Sequence, residues 1–423
     1  MTLYAGYGQA DITPSLPHML NGFAARQQPA LSIAAPVRAR VTVLRHGRRR
    51  AVIAVCDVLG FRIADSMRLE AAIGKVVGCS AKNVFLSCTH THSGPMSQPL
   101  GLGFDFDPAY IDFVEQQLLT ATRTAMADAE AVTSSCVGSV DVSEMGMYRW
   151  NVPEPGREHW PGRLSAWQLR RVGRGSLTFW HLGVHQYLLG WQSRVMHPDY
   201  PGSTCEAIER TLGGHAIFLP GCAGDVAPVP EMLTDLAGVN AYGQRAAEAA
   251  VRALHDGVEI KDAPLRYAHL APHVYFNHEP KLAELYADNR PFTDAADKGY
   301  RNTRRWTDER RAGRLPTSSP FPMRVLRVGG VTLLGMPAEI FCETGLDLIR
   351  AMPGTHLLAV AHTGGNLGYL CREFAYRHDT YEANAHQWYD TAGAMPPSTE
   401  PRLRKAIVQA AQGLLAREDQ VSG

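Results

Sequence analysis

Ala51-Val52-Ile53-Ala54-Val55-Cys56-Asp57-Val58 opens the stretch that decides the fold, and Thr89-His90-Thr91-His92-Ser93-Gly94-Pro95 closes it. The first run is continuous, apolar and of strand length, which suits a strand buried on both faces. Ile63 to Val77 then carries apolar residues at helical spacing, and Asn83-Val84-Phe85-Leu86-Ser87-Cys88 is short and β-prone. Asp107-Pro108 starts a further helix running to about Ala129, with Tyr110, Val114, Leu118 and Ala121 on one stripe and proline in the first turn. Strand, helix, strand, helix predicts an α/β fold.

The same rules carry outward. Strands are expected at Cys136 to Val142, Ser176 to His185, Ala216 to Leu219 and Leu357 to Ala361. Arg324 to Val328 and Val331 to Gly335 flank Gly329-Gly330, a hairpin signal, so the sheets are mixed and layered with helices. Helices are expected from about Asp235 to His255, from Ala338 to Ala351, and from a cap at Ser398 or Thr399 through Leu403, Ile407, Ala411 and Leu414. The polar, charged stretch 278–319 reads as an inserted helical excursion or a lid. With no Pro/Ser-rich linker and no internal repeat, residues 1–423 read as a single catalytic domain, against a length prior of two or three.

Composition excludes several classes. A formal net charge of +1 gives no electrostatic basis for binding nucleic acid or an anionic membrane. No run approaches the roughly 20 apolar residues of a membrane span. The eight cysteines are scattered without a Cys-x-x-Cys pair, as expected of free thiols in a reducing compartment. The amino terminus lacks the pattern of a secretory signal, so a cytoplasmic enzyme acting on a small molecule is expected. Oligomeric state is not legible.

The chemistry concentrates at the end of the Asn83–Cys88 run. Alternation along a strand puts His90 and His92 on one side with Thr91 opposite, so that two imidazoles face one pocket. Zinc favours neutral imidazole and carboxylate donors, and a catalytic site keeps one position open. A lone histidine is more often a hydrogen-bonded core residue; two on one face shift the reading toward a metal. Pro220-Gly221-Cys222-Ala223-Gly224-Asp225 is a tight turn where backbone can approach a ligand closely.

Five segments in order resemble the catalytic domain of the neutral/alkaline ceramidase family. They are Gly6-Tyr7-Gly8-Gln9-Ala10-Asp11-Ile12-Thr13-Pro14, the Thr89–Pro95 turn, Leu182-Gly183-Val184-His185, Gly221-Cys222-Ala223-Gly224-Asp225-Val226-Ala227-Pro228, and Met336-Pro337-Ala338-Glu339. A sixth, Gly368-Tyr369-Leu370 with Tyr381-Glu382, resembles the family's carboxy-terminal catalytic segment. The resemblance implies a neutral-ceramidase-like α/β catalytic domain and a zinc ion held by His90, His185, Glu339 and Tyr369. It implies His92 as a proton-transfer group, although His90 and His92 can exchange roles. It also places Arg149 beside the reacting carbonyl and Tyr381 as a donor to an oxyanion, with Gly221, Cys222, Gly224, Asp225 and Ala227 forming a substrate-side turn. Read alone, Glu339 is a charge opening a helix, Tyr369 a core or rim aromatic, and Arg149 equally a stacking or surface-bridging residue. Asp57 and Asp199 are either supporting carboxylates or turn caps.

The chain departs from the family where ceramidases carry serine and this sequence has Ala227. The family's secretory signal and following β-sandwich domain are also not expected. The resulting expectation is a zinc-dependent hydrolase opening an amide bond of a small or medium polar molecule with metal-activated water, and not ceramide itself. Ester or lactone opening, or amide formation, is the alternative. An inactive metal-binding or sensing protein is a third reading, opposed by the cost of keeping so many polar groups in one pocket. Cys222 is read as a buried, inert thiol.

Overall fold

The computed structural model describes residues 1–100, 106–149, 152–233, 235–260, 264–276, 309, 312–314, 316–389 and 393–419. Most of the stretch read as an insertion or lid, residues 278–308, lies outside the described residues. At its end Ser318–Pro320 pairs antiparallel with His273–Tyr275.

The opening apolar run is the strand Arg49–Cys56, antiparallel to Arg38–His46 on one side and parallel to Val84–Cys88 on the other. Helix Ile63–Val77 provides the crossover that a parallel pair requires. Both faces of Arg49–Cys56 are covered, which explains its unbroken hydrophobicity. Val52, Ala54 and Cys56 pack with Leu69, Ile73, Val114 and Leu118 of the helices Ile63–Val77 and Pro108–Ala127. Ala51, Ile53 and Val55 face the other way, into a core shared with Leu326, Leu333, Leu358 and Val360.

Those last residues belong to a second sheet, ordered Leu265–Leu270, Met323–Val328, Val331–Gly335, His356–Val360. The Gly329-Gly330 hairpin forms as expected. The large sheet runs His215–Pro220, Arg174–Leu182, Arg163–Arg171, Glu130–Asp141, Leu3–Asp11, Arg38–His46, Arg49–Cys56, Val84–Cys88. Helices Asp199–Leu212 and Leu236–His255 extend the helical layer over its far half, packing on Leu164, Trp180 and Phe218. Helices Cys342–Ala351 and Thr399–Asp419 cover the outer face of the second sheet through Leu348, Leu403 and Ile407. The layers are therefore helix, sheet, sheet, helix, an α/β fold of mixed sheets.

Two strands go beyond the sequence reading, and one expectation changes. Arg38–His46 and Arg163–Arg171 are central strands despite their arginines, because Arg40 is buried against Asp57 (2.8 Å) and Arg171 against Asp128. Glu339 does not open a helix. Glu339–Ile340 is a short strand, and the helix begins at Cys342.

Candidate metal centre and active site

The carboxyl ends of several strands meet at one place, as open α/β sheets favour. Val84–Cys88 ends in a turn whose backbone is tied to the adjacent strand, Thr89 N donating to Cys56 O (2.9 Å) and His90 N to Val58 O (3.0 Å). His90 sits in the left-handed region, φ 61°. The strand has already ended there, so alternation does not set the directions of His90 and His92; this turn does. Arg174–Leu182 delivers His185, whose N–H donates to Val226 O (3.1 Å).

The three rings converge. Nε2 of His90 lies 3.2 Å from Nε2 of His185, His185 Nε2 lies 3.1 Å from that of His92, and His92 Nε2 lies 3.4 Å from that of His90. All three side chains are buried. His90 Nδ1 is 2.8 Å from Leu59 O and His185 Nδ1 is 3.0 Å from Ala223 O. A carbonyl accepts only, so both Nδ1 atoms carry protons and both Nε2 atoms present lone pairs. Two buried lone pairs 3.2 Å apart do not stabilise one another. An electron-pair acceptor between them would.

Glu339 completes the donor set. Its Oε2 is 3.4 Å from His90 Nε2 and 3.6 Å from His185 Nε2, and it is a buried oxygen with no hydrogen-bond partner. Its other oxygen accepts from the Tyr389 hydroxyl. Burial raises the Glu339 pKa, but its neighbours, the Tyr389 and Tyr369 hydroxyls among them, outweigh it and hold the carboxyl below its ordinary value. Burial, then the neighbouring imidazoles and Arg149, keeps His92 and His185 well below the ordinary histidine value, so they stay neutral. Tetrahedral zinc with donors at 2.0–2.1 Å has donor–donor edges of about 3.3 Å. Neutral nitrogens and an anionic oxygen at such separations, with an orphaned carboxylate oxygen among them, fit a divalent cation.

A cavity of about 150 Å³ opens onto these donors, walled by Phe23, Tyr187, Tyr369, Tyr381, Trp388 and Tyr389, with Arg149 on its side. Two solved structures share this architecture: the neutral ceramidase of Pseudomonas aeruginosa and a ceramidase complexed with C2. Each superposes with a TM-score of 0.77 at 18% identity over 99% of this chain, and over 75% and 76% of their own chains respectively.

The fold is neutral ceramidase-like.

No family model matches the sequence, and neither does any curated protein sequence.

On this ceramidase-like fold the remaining site residues fall into two groups. Tyr369 pairs in register with Glu339 in a parallel bridge, which explains how residues thirty positions apart reach one point. Its hydroxyl accepts from Arg149 NH1 (3.1 Å). Arg149 lies over the rings of Tyr381 (5.4 Å) and Tyr187 (5.6 Å) and is 3.5 Å from the buried Glu382. Tyr381 sits at the cavity rim, 41% exposed. His90, His92, Arg149, Glu339, Tyr369 and Tyr381 therefore share one cavity, with His185 in contact behind it.

The glycine turn does not line this cavity. Gly221 packs backbone to backbone on Gly183, and Gly224 N donates to Ile340 O (2.8 Å). Asp225 accepts from Cys342 N (2.8 Å) and from Arg157 (2.7 Å), and its carbonyl accepts from Arg149 N (2.9 Å). Cys222 is buried beside Ala359, its thiol pushed up by burial. Ala227 is fully buried in the short strand Val226–Pro228, opposite Met147. The turn thus positions Glu339 and Arg149 by its backbone and Asp225 by its carboxylate. Asp57 holds Arg40 and the Arg38 N–H; Asp199 accepts from the Leu188, Leu189 and Tyr200 N–H groups (2.8–3.2 Å) and fixes the loop after His185.

Three further contributors carry no motif. Arg26 donates to Asn21 O, His92 O, Gly190 O and Trp191 O, binding the loop that bears Phe23 to the His92 backbone. Gly22, at φ 106°, lies so close to the His92 ring that a Cβ would meet it at 2.4 Å. His362 stacks flat on His90, centroids 3.9 Å apart. A histidine just past a buried strand, as His362 follows Leu357–Ala361, is the signal by which the sequence points to it.

Proposed function

We propose that the protein is a zinc-dependent hydrolase that cleaves an amide bond in a compact polar substrate. The observation that carries this is the convergence of His90, His92 and His185 Nε2 atoms on one buried point beside the orphaned Glu339 oxygen, two of the rings being locked with lone pairs inward. The ceramidase-like fold makes amide hydrolysis the first chemistry to test. His90, His185 and Glu339 would hold the ion, with His92 within reach of the same point and Tyr369 adjoining it. Bound there, zinc supplies a lowered pKa for water and polarisation of a carbonyl.

The chain's own groups supply the rest. Ala227 offers no hydroxyl and the Cys222 thiol is buried away from the cavity, so the oxygen that adds to the carbonyl carbon comes from water. As the water oxygen adds, the carbonyl oxygen takes up negative charge and the Arg149 guanidinium donates to it; that charge re-forms the carbonyl as the C–N bond breaks. Tyr381 supports that guanidinium and offers a second hydroxyl. His92 differs from His90 and His185 in that its Nδ1 is not tied to a main-chain carbonyl. It is the group that returns a proton to the departing amine. A cavity of about 150 Å³ takes a group of roughly benzene size. That dimension favours a short acyl or amine portion over a long-chain lipid.

The test is hydrolysis of a panel of short N-acyl amines, lactams and amino-acid conjugates by the purified protein before and after chelation. Turnover that is lost on chelation and restored by zinc is expected; turnover that survives complete metal removal contradicts the proposal. A polarised carbonyl at the same site would serve equally in a second reading, ester or lactone opening or amide formation. The same panel, with esters and with acid–amine pairs added, decides between them.

A further inference from the structure

We propose that His362 is a positioning residue of the metal centre, fixing the plane of the His90 ring by face-to-face stacking; this rests on the reading of His90 as a metal ligand. The rings lie 3.9 Å apart at 11°, and the His362 side chain is buried. His90 meets His92 and His185 edge-on, at 79° and 70°, so His362 alone of these imidazoles covers its face. A hydrogen bond from Nδ1 to Leu59 O restrains the swing of the His90 ring. The flat contact restrains rotation about that bond.

The backbone around His362 is arranged for this purpose. Its N–H donates to Ala338 O (3.3 Å), next to Glu339, and its carbonyl accepts from Cys88 N (3.2 Å), at the end of the strand that leads to His90. His362 therefore joins the segments carrying two of the donors. Both stacked residues are left-handed, φ 61° for His90 and 51° for His362. Glycine holds that conformation with less strain and asparagine enters it as readily, so the backbone does not call for histidine. Hydrogen bonding at Nδ1 does not call for it either, because that nitrogen is buried without a partner. Two unfavourable features retained together at one residue point to the ring face as what is used.

Zinc affinity of the full-length protein, measured by competition with a chromophoric chelator, tests this in wild type, His362→Phe, His362→Leu and His362→Asn. Phenylalanine keeps a flat ring, leucine keeps bulk without one, and asparagine tolerates the left-handed backbone. The expected result is affinity within about threefold of wild type for Phe and a loss of about 10- to 100-fold for Leu and Asn, the range seen when a ligand's support is removed. Melting of the zinc-free proteins, read alongside, separates a general loss of stability from loss of the stack. Leu and Asn variants binding zinc like wild type overturn the proposal. So does a Phe variant that loses as much as they do, because the nitrogen and not the face would then be at work. Wild-type protein that takes up no zinc defeats the functional reading and this inference together, whereas tight wild-type binding with an unaffected Leu variant defeats only the inference.

Discussion

His90 and His185 each commit one ring nitrogen to a main-chain carbonyl, and that commitment aims the other nitrogen at their shared point, the position proposed for the metal. Glu339 is then the only anionic donor at that point among the described residues. Glu339→Gln keeps its shape and removes its charge, and zinc affinity is expected to fall by at least about 10- to 100-fold, measured by chelator competition. In the proposed reaction Arg149 acts on charge that develops at the carbonyl oxygen. Arg149→Met is expected to lower kcat about 10²- to 10³-fold with KM little changed, and Arg149→Lys to recover little, since lysine lacks the planar guanidinium that lies over the Tyr381 and Tyr187 rings. Ala227→Ser is expected to add no activity, because the methyl is fully buried and faces no part of the cavity; a buried hydroxyl there costs about 1–3 kcal/mol, visible as a lower Tm. The paired histidines were legible because two imidazoles after a β-prone run have few better uses. Their directions were not, since the left-handed turn at His90 is set by hydrogen bonds to Cys56 and Val58 that no local pattern encodes.

Short elements and loops do the positioning. The Glu339–Ile340 strand pairs with Tyr369–Leu370, and Gly224 closes against its backbone, so three segments distant in sequence share a few hydrogen bonds. A two-residue strand has no periodicity, and Glu339 reads equally well as the first charge of the helix that in fact starts at Cys342. The loop carrying Phe23 depends on Arg26, whose buried guanidinium answers four carbonyls. Arg26→Met takes the side-chain donor from the Asn21, His92 and Trp191 carbonyls, Gly190 O keeping the Ser193 N–H, and a destabilisation of about 2–4 kcal/mol is expected by denaturant melts. Zinc binding is expected to weaken with it, because His92 O is one of the four.

Across the whole molecule, two sheets packed face to face bring strand ends from both halves to one edge. This much was legible from Ala51–Val58 and Val84–Cys88, where unbroken hydrophobicity requires cover on both faces. The arginine-bearing strands were not, because burial of Arg40 and Arg171 depends on distant aspartates. Among the described residues, no helix is long and apolar enough to cross a membrane. Acid acts on the assembled molecule through buried imidazoles. Burial pushes His197, His181 and His269 down to about 4 from an ordinary 6.5, the first packed under the Thr91–Ser93 turn and the second bonded from the large sheet to Ala359 of the second. Their neutral forms are favoured in the folded state, so the stability they contribute is complete above about pH 6.5 and is lost as pH falls toward 4. The Tm of the zinc-free protein is expected to drop between pH 7 and 5, and less in His197→Gln than in wild type. X-ray absorption at the zinc edge, on protein reconstituted with zinc and dialysed, bears most directly on the account. It predicts about one zinc per chain in a nitrogen and oxygen shell with imidazole scattering and no sulfur; a protein that retains no zinc, or holds it through sulfur, contradicts it.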